Sequence, residues 1–221
     1  MIGGIVAVPE RRAHVEKLQQ RLLGSDQGRC REVSVFYDYN HEGTWWNQTR
    51  AFELLKKAEP GEPVLITTDD GVCVEDWAAR WHAIHEKAQD SIYSLYCGSK
   101  AVFTDEALAA GFNTGLHKNG FYDVAMIFID QPNFLADVKR WLFMDGGLHD
   151  PWIHHRHIVK KDGSYQHMDY AMEGYLLAKK RAWTVTTPTL FDHAQLKSTM
   201  GHGTFQSPHY IGKPHTFEHA A

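Results

Sequence analysis

The chain has 221 residues, of which 43% are hydrophobic and 23% charged, enough to bury one good-sized core and too apolar for a disordered polymer. A formal net charge of −4 and a pI near 6.4 exclude a global basic field of the kind that drives non-specific nucleic-acid binding, so a polyanionic partner would need a local patch. The longest apolar runs, such as Val124 to Ile129, are far too short to span a bilayer. Met1 to Val8 lacks a basic flank and a cleavage site and reads as a first strand rather than a leader. Cys30, Cys73 and Cys97 have no CxxC spacing, which argues for a reducing compartment and against a zinc knuckle or disulfide framework. The expectation is a cytoplasmic protein with no membrane partner.

In chain order, the pattern predicts strands over 4–8, 33–37, 64–67, 92–96, 124–129 and 184–187, with helices over 12–23, 45–57, 75–89, 133–143 and 165–180. The early alternation of strand and helix implies an α/β fold, a Rossmann-like, mostly parallel sheet flanked by helices. Residues 1–200 form one expected domain. Residues 201–221, with several Gly and Pro and little periodicity, form an expected loop-like tail.

The ends of the strands carry the chemistry. The first runs into Val8-Pro9-Glu10-Arg11-Arg12, where guanidinium forks suit phosphate or base edges, although a charged first helical turn reads the same way. The second ends at Asp38, an acid able to receive a ribose or uracil group, ahead of Trp45, Trp46, Asn47 and Arg50. One of the two adjacent Trp residues is expected in the core, since neighbours on a helix face different ways.

The third strand, Val64 to Thr67, meets Thr68-Asp69-Asp70-Gly71 and then a helix with Trp77, Trp81 and Ile84 at helical spacing. Two adjacent acids at a buried strand end call for a cation, and hard carboxylate oxygens suit Mg2+ or Mn2+ shared with a substrate phosphate. Asp and Gly also suit a plain solvated turn. Fifteen His, concentrated from residue 149 onward, show no zincin spacing, and most are expected to be partly exposed polar side chains.

Four segments in order carry a resemblance to the GT-A superfamily of nucleotide-sugar-dependent glycosyltransferases, nearest to small phage-encoded members: Ala7 to Arg11, Gly43 to Ala51, Leu65 to Val72, and a late region holding His167 to Tyr170, Leu190 to His193 and Ser198. The resemblance implies a GT-A-like fold, a UDP-sugar donor, Mn2+ or Mg2+ as cofactor, and a hydroxyl acceptor, with a modified, hydroxylated DNA base as one candidate. By the same resemblance, Asp70 matches the usual metal ligand and His193 the late histidine that completes coordination. Thr68-Asp69-Asp70 departs from the strict Asp-x-Asp form, which leaves open which of Asp69 and Asp70 binds the metal. The resemblance further implies that Pro9, Arg11, Asp38, Asn47, Arg50, Asp69, Lys197 and Ser198 hold the nucleotide. It makes Asp169, at a helix head, the general base of an inverting mechanism, with Glu173 one turn on as the reserve. Lys118, Lys160-Lys161 and Lys179-Lys180-Arg181 are the groups that could track a DNA backbone. A metal-dependent hydrolase and a non-catalytic nucleotide-binding protein are the alternatives on the same fold.

Overall fold

The computed structural model describes residues 1–24, 29–40, 42–118, 120–154, 168–194, 207 and 210. Strand β1 (Ile2–Ala7) is buried along its whole length, as a continuous apolar run covered on both faces must be. Helix α1 (Arg12–Leu22) buries Val15, Leu18 and Leu22 on one stripe. After β2 (Glu32–Tyr37), α2 (Thr44–Phe52) continues as a 3-10 turn, Glu53–Lys56. Strand β3 (Val64–Thr68) turns through Asp69 and Asp70 into the three-residue β4 (Gly71–Cys73), and α3 (Trp77–Ala88) buries Trp77, Trp81 and Ile84 as their spacing predicts.

The second half of the chain supplies β5 (Ile92–Ser94), α4 (Asp105–Ala110), β6 (Phe112–Gly115), β7 (Ala125–Phe128), α5 (Phe134–Phe143), α6 (Pro151–His154), α7 (Met168–Ala178), β8 (Trp183–Thr186) and β9 (Phe191–His193). Helix α4 has a capped start, the Thr104 hydroxyl accepting from the Ala107 amide, and it stops at Gly111 with φ +87°.

Seven strands form one sheet in the order β2-β1-β3-β7-β5-β8-β6, and β4 pairs with β9 in a separate two-stranded ribbon. β1 pairs in parallel with β2 and β3, and β5 with β8, whereas β7 runs against both β3 and β5, and β6 against β8. The expected mostly parallel sheet is thus mixed: five strands share a direction and β6 and β7 oppose it. The apolar run that announces β7 carries no direction, so sequence could not reveal the reversal.

Alternation along the strands sends Ile2, Val6, Val64, Ile66, Met126 and Phe128 to a core under α2, α5 and α7. Ile5, Ala7, Leu65, Ala125 and Ile127 face a second core under α1 and α3. Among the described residues no helix is long and apolar enough to cross a membrane. Ser207 and Tyr210, in the expected tail, lie against the body: Ser207 Oγ donates to the Cys97 carbonyl at 2.9 Å, and Tyr210 bridges to Thr189.

At the opposite end of the sheet Arg31 forks onto Glu62 (Nε–Oε1 2.9 Å, Nη2–Oε2 3.2 Å), and this hydrogen-bonded pairing outweighs desolvation and holds the Glu62 carboxyl down at about 2. A depressed carboxyl stabilises the fold above its unfolded pKa of about 4.3 and loses that contribution as pH falls toward 2. Because Arg31 is well exposed, we expect Glu62→Gln to cost no more than about 1 kcal/mol at pH 7, with the difference from wild type vanishing toward pH 2 in urea titrations.

Candidate functional site

From β1 the chain goes to β2 on one side and returns to β3 on the other, so the carboxyl ends of β1 and β3 flank a point where strand order reverses. In open α/β sheets such a crevice is where ligands bind. Here it holds the acid turn. Asp69 is buried and faces β1: its Oδ2 accepts from the Val8 amide at 2.7 Å and its Oδ1 from Arg11 Nη1 at 2.6 Å. Burial pushes the Asp69 carboxyl up to about 6 against the pull of Arg11 and the Val8 amide. Pro9 opens the 3-10 turn Pro9–Arg11, fixing the backbone that aims Arg11 at the acids.

Asp70 faces the other way. Its Oδ1 accepts from Thr68 Oγ1 at 2.6 Å, its Oδ2 lies 3.3 Å from His193 Nδ1, and Arg11 Nη1 is 3.6 Å from that same oxygen. Burial would raise this carboxyl, but His193, Thr68 and Arg11 outweigh it and hold Asp70 at about 2. His193 is pulled up in turn, burial opposing and Asp70 prevailing. The meeting of two residues 123 positions apart is the work of the β4–β9 ribbon, whose register sets Gly71 against His193 and whose end is closed by the Ala194 amide donating to the Asp70 carbonyl. The Tyr96 ring lies 5.0 Å from the imidazole at 80° and shields it.

Gly71 is required by space. A Cβ there would sit 2.7 Å from Thr67 Oγ1, itself tied to the Val124 carbonyl, and 3.2 Å from the Thr68 carbonyl. We expect Gly71→Ala to lower stability by about 1–3 kcal/mol in thermal or urea unfolding and to disturb the Asp70–His193 contact.

The same edge collects acids from elsewhere. Asp123, just before β7, accepts from Gln48 Nε2, and burial followed by repulsion from Asp70 raises its carboxyl. Asp169 does head α7, at 9% exposure. A helix N-terminus favours an anion, but burial, then repulsion from Asp123 and Glu173, outweighs it and raises the carboxyl well above its ordinary range. Glu173 is fully buried on the same helix. Sequence reasoning does not find Asp123 or Gln48 as site residues. Nothing local marks Asp123, whereas Gln48 directly follows Asn47 in the Gly43 to Ala51 segment, and that adjacency is the one signal for it.

Asp38, Asn47 and Arg50, also expected at the nucleotide, make hydrogen bonds within the fold. Asp38 spends both oxygens on the Glu42 and Gly43 amides, at 2.9 and 2.8 Å, shaping the loop into α2. Asn47 Nδ2 donates to the Ala7 and Phe36 carbonyls, tying β1 to β2. Arg50 donates to the Tyr37 carbonyl at 3.1 Å and lies 4.9 Å from the exposed Trp46 ring, while Trp45 packs edge-on against Phe143. Lys197, Ser198, Lys160 and Lys161 lie outside the described residues. Lys179, Lys180 and Arg181 precede the start of β8, at the amino edge of the sheet, and Lys118 follows Gly115, the partner of Trp183 at that same edge. These basic groups are remote from the acids.

Among the described residues no group of three or more His, Cys, Asp or Glu is placed to hold a metal ion. Asp70 and His193 supply one hard oxygen and one imidazole nitrogen, a donor set that suits Mn2+ or Mg2+ only when a substrate diphosphate and water complete the shell. The residues therefore fit a metal shared with substrate, not a closed protein cage. The chain matches no protein-family model and no curated protein.

Proposed function

We propose that the chain is a metal-dependent glycosyltransferase of the GT-A kind, moving a sugar from a nucleotide donor, a UDP-sugar in the first instance, to an acceptor hydroxyl. The observation that carries this reading is the convergence of Asp70, His193 and Arg11 at the strand-order switch point, with a second set of carboxyls, Asp123, Asp169 and Glu173, at the same edge. Mn2+ or Mg2+, when bound by Asp70 and His193, would offset the charge that develops on the departing nucleoside diphosphate. Arg11 adds a fixed cation beside that charge, and its bond to Asp69 holds it in place. Asp169, whose carboxyl burial raises above its ordinary range, would when ionised take the acceptor's proton.

For the acceptor, a hydroxylated DNA base stays part of the proposal, but Lys118, Lys179 and Lys180 lie at the far edge, so contact with the strand would fall to Arg12, Arg50 and Trp46 near the site. The test is to incubate the protein with a panel of nucleotide sugars and Mn2+ and to follow nucleoside diphosphate release with and without acceptors. Release that depends on acceptor supports transfer. Release that proceeds equally with water alone points to a hydrolase, and binding without release to a nucleotide-binding protein.

A further inference from the structure

Behind the acid turn, between α1 and β4, lies a cavity of about 260 Å³ whose walls hold two cationic side chains, Lys17 and Arg21, the imidazole of His14, which burial holds below its ordinary range, and no carboxylate among the described residues. His14, Lys17 and Arg21 stand at i, i+3 and i+7 on α1, so they form one stripe above the cavity. Two of them are aimed by the backbone of β4: His14 Nε2 donates to the Gly71 carbonyl at 3.2 Å, and Arg21 Nη1 donates to the Cys73 carbonyl at 3.1 Å. Lys17 lies between them, exposed, and forms no hydrogen bond or ion pair within the described residues. Leu18 and Val72 give the cavity an apolar wall. In a chain of net charge −4, a cleft whose charged walls are all cationic is a local exception.

We propose that this cleft binds the phosphoryl group of a small phosphorylated molecule, at a site separate from the acid turn. The Arg21 fork and the Lys17 ammonium supply complementary contacts, a directional pair of donors and a mobile point charge. The volume admits a phosphoryl group with a body of a few carbons against Leu18 and Val72. Gly71 forms the floor, directly follows Asp70 and pairs with His193, so an occupant would press on the element that positions the Asp70–His193 contact. Binding here would regulate whatever chemistry the acid turn performs, and it does not depend on the glycosyltransferase reading.

The test uses the whole chain without metal or nucleotide. Inorganic phosphate, glycerol 3-phosphate and a short DNA duplex are titrated at constant ionic strength by calorimetry, with amide chemical shifts followed by NMR. We expect saturable binding of phosphate and glycerol phosphate, with the largest shifts in α1 and Gly71–Cys73 and smaller ones reaching Asp70 and His193. Lys17→Gln, an exposed change with no fold consequence, should weaken binding by about tenfold or more, as should Arg21→Gln. Absence of saturable binding, binding unaffected by both variants, shifts centred on Asp69–Asp70 and His193, or binding of the duplex alone would each overturn the proposal. Failure to release nucleoside diphosphate from any nucleotide sugar would leave this result standing, so the two readings fail separately.

Discussion

Asp70→Asn is expected to abolish Mn2+-dependent binding of UDP while leaving the fold intact. The substitution keeps size and shape but removes the formal charge from the one carboxylate that His193, Thr68 and Arg11 jointly hold ionised at about 2. A neutral amide oxygen is a far weaker ligand for a hard dication, and loss of measurable affinity in calorimetry is the predicted result. Affinity equal to wild type would remove the metal site from Asp70. A parallel His193→Ala should weaken binding less, since the carboxylate and the diphosphate would remain.

The same variant has a stability signature. Asp70, with its pKa lowered, contributes stability that is present above its unfolded value of about 3.9 and lost as pH falls through about 2; His193, with its pKa raised, contributes stability that is complete below about 6.5 and lost as pH rises through its folded value. The destabilisation by Asp70→Asn should therefore be largest near pH 5, on the order of 1 kcal/mol for a pair about one quarter exposed, and should shrink toward pH 9. A difference that grows with pH would mean that His193 is not the partner that holds Asp70.

Much of this geometry is legible in short-range pattern, and the rest is not for identifiable reasons. The stripes of α1 and α3 and the buried run of β3 are visible because apolar spacing repeats within one element. That spacing alone places Asp69 and Asp70 at a strand end, whereas the meeting of Asp70 with His193 is anticipated only through the resemblance. The ribbon that joins them was not expected, because strands of three residues such as β4 and β9 are too short to show a period. Asp123 stayed hidden because its position depends on β7 running antiparallel to β3, which carries the residue before β7 to the carboxyl edge beside the acid turn. Asp38 shows a contact that sequence does not reveal: besides standing at a strand end, it accepts from the Glu42 and Gly43 amides of the loop that follows.

Asp169→Asn is expected to separate catalysis from binding. The wild-type carboxyl is buried at the head of α7, and burial with the nearby Asp123 and Glu173 favours its neutral form, so an amide replaces it without a large loss of shape or polarity. An amide cannot accept the acceptor's proton. Turnover should fall by a factor of about 10² to 10⁴ while affinity for the nucleotide donor stays near wild type. Because the carboxyl is raised, the acidic limb of the wild-type rate profile should lie above the ordinary carboxylate range, with activity increasing as pH rises through it. Asp123→Asn removes one of the charges that raise Asp169 and should move that limb to lower pH. A merely structural Asp169 would leave the limb where it is. If Asp169→Asn transfers sugar at close to the wild-type rate, the residue is a buried helix-head carboxyl only, and the proton must pass to Glu173 or the reaction must proceed with retention of configuration.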